Sequence, residues 1–184
     1  VLINSYTQEA RDFKKLLKAN NIKFIAINGY EHINLLKNSF WDLFEDVNIA
    51  MFVYFEDKKT SYDIDLLDTF SSRRNIPVFF VHKSNIKHPR YWGNITIKES
   101  FGLNPIPRQE NSVQNLSFQC AISSPLTYTE TDEEYMLARD IAKALYEVVI
   151  ERKPIPIIKV YTAKEVYQYA LQNCPKKTTY SKPI

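Results

Sequence analysis

Two uninterrupted apolar runs, residues 49–55 and 76–81, constrain this chain more than any other feature. A strand with one face in water alternates apolar and polar residues. A run that is apolar at every position needs cover on both faces, and strands inside a parallel sheet have it. Pro77 lies near the start of the second run, where a missing N–H is tolerated.

The segments around these runs carry a helical period. Residues 7–20 place Ala10, Phe13, Leu16 and Leu17 on one face, with Thr7 positioned to cap. Residues 31–46 repeat the pattern with Ile33, Leu36, Phe40, Leu43 and Phe44, and residues 61–73 with Ile64, Leu67 and Phe70. Residues 1–3 and 22–27 read as strands, the second closed by Asn28 and Gly29. Strand and helix alternating in this way predict right-handed crossovers onto one sheet. The expected fold class is α/β: a three-layer Rossmann-like or P-loop-GTPase-like domain with a central, mostly parallel sheet.

Residues 83–115 break the rhythm with Pro89, Gly93, Gly102, Pro105 and Pro107, and read as a long irregular segment. Residues 116–122 read as a short strand. Thr131 and Glu134 form a capping box that opens a helix burying Leu137, Ile141, Leu145 and Val148. Arg152 and Lys153 suit that helix's C-terminus, and Pro154 ends it. The expected domain is therefore 1–153. Residues 154–184 are read as a C-terminal basic extension or linker, with seven Lys or Arg against Glu151 and Glu165 from residue 151 onward. Within it, Thr162 and Glu165 make a second capping box ahead of Val166, Tyr167, Ala170 and Leu171, for a helix that docks on the sheet or begins another domain.

Charge and cysteine usage narrow the function. With 24 basic and 21 acidic residues the net charge of +3 is too near balance to imply nucleic acid. No stretch of about 18 apolar residues is present, so no membrane span is expected. Cys120 and Cys174 offer neither a metal spacing nor a disulfide framework, and a reducing, cytoplasmic location is the simple reading. A start at Val1 rather than Met reads as a piece of a larger protein.

The chemistry usual for this topology is missing from the sequence. A phosphate-binding loop needs glycines so that backbone amides can wrap the phosphate. The first strand–helix junction instead reads Asn4-Ser5-Tyr6-Thr7-Gln8-Glu9, with no Gly and no Lys, and the dinucleotide fingerprint is equally absent. No cofactor and no guanine nucleotide are therefore expected. There is no G-x-S-x-G elbow. His82, His88 and Cys120 lack a fourth ligand at a telling spacing, so no metal is expected. Asp63, Asp65 and Asp68 share a helix, with Asp65 and Asp68 on one face, as a solvated surface or as a carboxylate at the mouth of a site. Arg73, Arg74, Lys83, Lys87 and Arg90 with Tyr91 and Trp92 form a basic–aromatic cluster. Lys87, Arg90, Tyr91 and Trp92 are the candidate partner-binding residues, since Arg and aromatics are enriched at interface hot spots. The alternative is that Tyr91 and Trp92 pack inward.

From about residue 47 to 150 the chain resembles a Ras-like GTPase. Residues 48–55 followed by Thr60-Ser61-Tyr62 resemble that family's fourth strand and the entry to its third helix. Residues 75–85 resemble the strand leading into the guanine-specificity motif N-K-x-D, with His82 in place of the Asn and Asn85 in place of the Asp. Phe118 to Ser123 resembles the strand entering the S-A-K motif. With the nucleotide motifs missing, the resemblance implies a pseudoGTPase, like those in certain Rho GTPase-activating proteins. It would be a non-enzymatic interaction domain used in signalling or scaffolding, whose partner is another protein or a neighbouring domain of its own chain. The alternative resemblance is to TIR and nucleoside deoxyribosyltransferase-like domains, which cleave N-glycosidic bonds, with Asp65 or Asp68 as the carboxylate. The two differ in the sheet: a Ras-like sheet has an antiparallel edge strand, whereas a TIR sheet is wholly parallel.

Overall fold

The computed structural model describes residues 1–27, 44–56, 63–103, 113 and 115–174. Five strands form the central sheet: β1 (Leu2–Ile3), β2 (Ala26–Ile27), β3 (Phe52–Phe55), β4 (Val78–His82) and β5 (Gly93–Thr96). Their order is β2-β1-β3-β4-β5 and every pairing is parallel. A second sheet joins β6 (Glu99–Phe101), β7 (Tyr135–Leu137) and β8 (Val160–Tyr161), with β6 parallel and β8 antiparallel to β7. The helices are α1 (Gln8–Ala19), α2 (Asp63–Arg73), α3 (Asn115–Ala121), α4 (Ala138–Val149) and α5 (Ala163–Asn173).

The continuous apolar runs are explained by two cores on opposite faces of one sheet. Successive strand residues point to opposite sides. Val53, Phe55, Phe79 and Val81 therefore meet Phe13 and Leu17 of α1 and Ile141 and Leu145 of α4. Their neighbours Phe52, Tyr54, Val78 and Phe80 meet Ile64, Leu67 and Phe70 of α2. A third cluster packs Phe101, Leu116, Tyr135 and Leu137 against Tyr161, Val166 and Ala170 around the second sheet. The segment read as an extension supplies β8 and α5 to this cluster. The Thr162 hydroxyl accepts from the Glu165 backbone N–H at 3.2 Å, capping α5 as the sequence pattern implies.

Several expectations are corrected. Residues 115–121 are helix α3, not a strand: Leu116 and Cys120 are buried four residues apart while Phe118 is exposed, which is a helical rather than an alternating pattern. Thr131 and Glu134 do not open a helix. The Thr131 hydroxyl instead lies 3.2 Å from that of Tyr135, β7 follows, and α4 starts only at Ala138. The irregular segment contains β5 and β6. Cys120 and Cys174 are disulfide-bonded with Cα atoms 5.6 Å apart, because the ends of α3 and α5 meet in space despite 54 residues of separation. Among the described residues the sheet also lacks the antiparallel edge strand that the Ras-like resemblance implies. The helix expected over 31–46 lies, apart from 44–46, outside the described residues. No helix among the described residues is long and apolar enough to cross a membrane.

Candidate functional site

In an open α/β sheet, ligands meet the carboxyl ends of the strands where the strand order reverses. Here that point lies between β1 and β3. Asn4, fully buried, leaves β1 in the left-handed region with φ 57°, a conformation Asn tolerates better than most side chains. Its backbone N–H donates to the Ile27 carbonyl at 2.7 Å and its side-chain amide to the Phe55 carbonyl at 3.3 Å. One residue thus ties the ends of β2, β1 and β3.

The turn that follows holds an unusual concentration of unsatisfied polarity. Among the described residues, four buried side-chain polar atoms lack a hydrogen-bond partner, and three are here: Ser5 Oγ, Thr7 Oγ1 and Gln8 Nε2. Thr7 is the N-cap of α1, yet its side chain makes no capping bond. Such groups each cost about 1–3 kcal/mol, so their clustering is informative. Gln8, only 6% exposed, packs against Gly102: a Cβ built there would fall 2.0 Å from Gln8 Nε2. The next residue, Glu9, is buried and accepts from the Ser100 hydroxyl at 2.6 Å.

A cavity of about 400 Å³ opens beside Gln8, bordered also by Asp12, Gly102, Arg139, Tyr169 and Asn173. The first turns of α1 and α4 both contribute to it. Its wall mixes donors (the Gln8 amide N–H, the Arg139 guanidinium) with acceptors (the Asp12 carboxylate, the Asn173 amide oxygen). Hydroxyl groups, which donate and accept together, complement such a set. A dinucleotide pyrophosphate does not fit at α1. It needs close backbone approach through glycine, and this turn has none, while the Glu9 side chain is buried in the first turn of α1 against Ser100.

The other polar groups along this edge are already engaged. The Glu56 carboxylate accepts from the backbone N–H groups of Lys83 (2.5 Å) and Ser84 (3.2 Å) and from the Ser84 hydroxyl (2.5 Å), closing the ends of β3 and β4. His82 is buried, stacked on Phe80 with ring centroids 4.9 Å apart. Its Nδ1 lies 2.7 Å from the Ser84 carbonyl, and Nε2 lies 3.4 Å from both Asn94 and Thr96. The Ser84 carbonyl can only accept, so Nδ1 donates to it. His82 and His88 sit together, but Cys120 is in the disulfide.

The residues singled out from sequence are scattered. Lys87 and Arg90 are exposed on the crossover from β4 to β5. Tyr91 is 69% exposed, and Trp92 is buried beside Phe80. This crossover leaves the carboxyl end of β4, but Tyr91 and Trp92 immediately precede β5 and so stand at the opposite edge of the sheet. Asp68 faces the same loop, accepting from the Tyr91 and Ser72 hydroxyls, and Asp65 is exposed. Asp68 is thus turned toward the residues that precede β5, whereas Asp65 lies in the first turn of α2. The Ser5–Gln8 turn was noticed in the sequence only for lacking glycine; its buried, unpaired hydroxyls and amide carry no local signature.

No protein-family model matches the sequence, and no curated protein matches it significantly. Solved structures do. The chain matches GDP-L-fucose synthetase from Naegleria fowleri with a TM-score of 0.63 at 9% identity, covering 93% of this chain and 76% of that one. The same enzyme bound to NADP matches with a TM-score of 0.58. CapF in complex with 3-isopropenyl-tropolone matches with a TM-score of 0.61 at 12% identity, over 93% of this chain and 54% of CapF. CapF of Staphylococcus aureus is described as a capsular polysaccharide assembling protein.

The fold is Rossmann-like. The chain spans about half the length of CapF, and at these identities the likeness establishes fold alone. It nevertheless overturns the Ras-like reading. The absence of catalysis, and the signalling and scaffolding roles, were inferred from nucleotide motifs missing from a GTPase; that is not the fold present, so they fall with it. The N-glycosidase alternative gains no support from the solved structures matched, which are named for GDP-L-fucose and for capsular polysaccharide.

Proposed function

We propose that this protein acts on a sugar or sugar derivative, with the sugar ring held in the cavity beside the β1–α1 turn. The observation that carries the reading is a cavity lined by both donors and acceptors, with Gln8, whose side-chain amide nitrogen is buried without a partner, on its wall. Buried polar groups are ordinarily paired, and a ligand rich in hydroxyls supplies partners of both kinds. Arg139 at the rim suits a phosphate attached to the sugar. The fold neighbours support the substrate class, one being named for its work on GDP-L-fucose and the other for capsular polysaccharide. NADP takes no part in this reading, because the β1–α1 turn lacks the glycines through which a pyrophosphate approaches the backbone.

Thermal unfolding with GDP-L-fucose, UDP-glucose or NADP tests it. A ligand at about one hundred times its Kd adds about 2.7 kcal/mol, which for a chain of this size raises Tm by about 5–10 °C. A rise with a sugar nucleotide and none with NADP is expected. A rise with NADP alone would overturn the reading.

A further inference from the structure

The opposite edge of the sheet holds a second cavity, of about 640 Å³, within the range of small-molecule sites. Its walls are apolar where Met51, Ile76, Pro77, Val148 and Val149 border it. Its polar lining has a sign: Arg152 and Lys153 are present and no carboxylate is. Lys153 is ion-paired with Glu151, whereas Arg152 is exposed with no ion pair among the described residues. Two acids beside the rim are already engaged, Glu151 by Lys153 and Asp68 by Tyr91 and Ser72. Trp92 borders the cavity as well, and its indole N–H is buried without a partner.

We propose that this cavity binds a small amphipathic carboxylate, its apolar body against Ile76, Pro77 and Val148 and its carboxylate at Arg152. The apolar part of the wall suits an apolar body, while a cation without a counter-charge and a donor without an acceptor both call for an anionic acceptor. Tyr91 forms the rim, held by Asp68 and Ser72, and Arg90 stands beside it. The partner-binding role expected of the crossover residues is thereby narrowed to a small acid contacting Tyr91 and Trp92. The competing explanation is that Arg152 and Lys153 only offset the carbonyl ends of α2 and α4, which finish at this edge.

Titration of the ¹⁵N-labelled protein with octanoate, and with octanol of the same chain length, decides between them. The indole N–H resonance of Trp92, assigned through Trp92→Phe, is the readout. Octanoate is expected to shift it saturably, and octanol to bind more weakly. Arg152→Gln is expected to weaken octanoate binding about two- to fivefold, the upper range for an exposed ion pair, and Arg152→Lys to restore most of it. Three results would overturn the proposal: no shift of the Trp92 resonance, equal binding of octanol, or octanoate binding unchanged by Arg152→Gln. The site shares no residue with the sugar cavity, so its failure leaves that reading untouched.

Discussion

Replacing Gln8 by Met and Ser5 by Ala should make this protein more stable and less able to bind its ligand. Both side chains are buried, Ser5 completely and Gln8 to all but 6%. Each carries a polar atom with no partner, at a cost of about 1–3 kcal/mol. Methionine keeps the length and flexibility of glutamine without the amide, and so still packs against Gly102. Alanine removes only the Ser5 hydroxyl, leaving a space smaller than a methyl group. Allowing for incomplete relief, the double substitution should add about 1–3 kcal/mol, which raises Tm by about 2–10 °C in a chain of this length. Urea unfolding of the single and double variants, read by circular dichroism, gives the increments. A loss of stability in both single variants would refute the reasoning, because it would mean that these groups have structural partners and are not held open for a ligand. A gain in stability with ligand affinity intact would refute the functional half alone.

Other consequences follow from the packing. Reducing the Cys120–Cys174 bond, which closes a loop of about 54 residues, should cost about 4 kcal/mol by the loop-entropy relation; unfolding in urea with and without a reductant measures it, and coincident curves would contradict it. Phe80→Ala, which empties a fully buried position touching Tyr54, His82 and Trp92, should destabilise by about 3–5 kcal/mol, seen as a lower urea midpoint. Glu56→Gln removes the charge from three hydrogen bonds at the ends of β3 and β4 and should cost about 1–2 kcal/mol, with faster amide exchange at Lys83 and Ser84.

The sheet was legible because its signal is composition. Residues such as Phe52, Val53, Phe79 and Phe80 are apolar on both faces, and only a covered strand accommodates that. The alternation through Asn94, Ile95, Thr96 and Ile97, exposed and buried in turn, was equally present but was obscured by the Gly and Pro residues around it. Cys120 with Cys174 and the cluster around Phe101 and Tyr161 depend on contacts distant in sequence, and no local pattern encodes them. The site was read backwards. A junction without glycine is visible in the sequence, but whether Gln8 is solvated, bonded or buried and unpaired depends on Gly102, which is 94 residues away by the numbering. Likewise no local pattern tells that Trp92 is buried beside Phe80, at the wall of a cavity, while Arg90 and Tyr91 are exposed.

Calorimetric titration of GDP-L-fucose into the wild-type protein and into the Gln8→Met variant tests the central claim most directly. The account predicts saturable binding to the wild type that is at least about tenfold weaker in the variant, the loss expected when a buried hydrogen bond to the ligand is removed. NADP should produce no heat of binding in either protein. Equal affinity of both proteins for the sugar nucleotide, or binding of NADP in preference to it, would contradict the account.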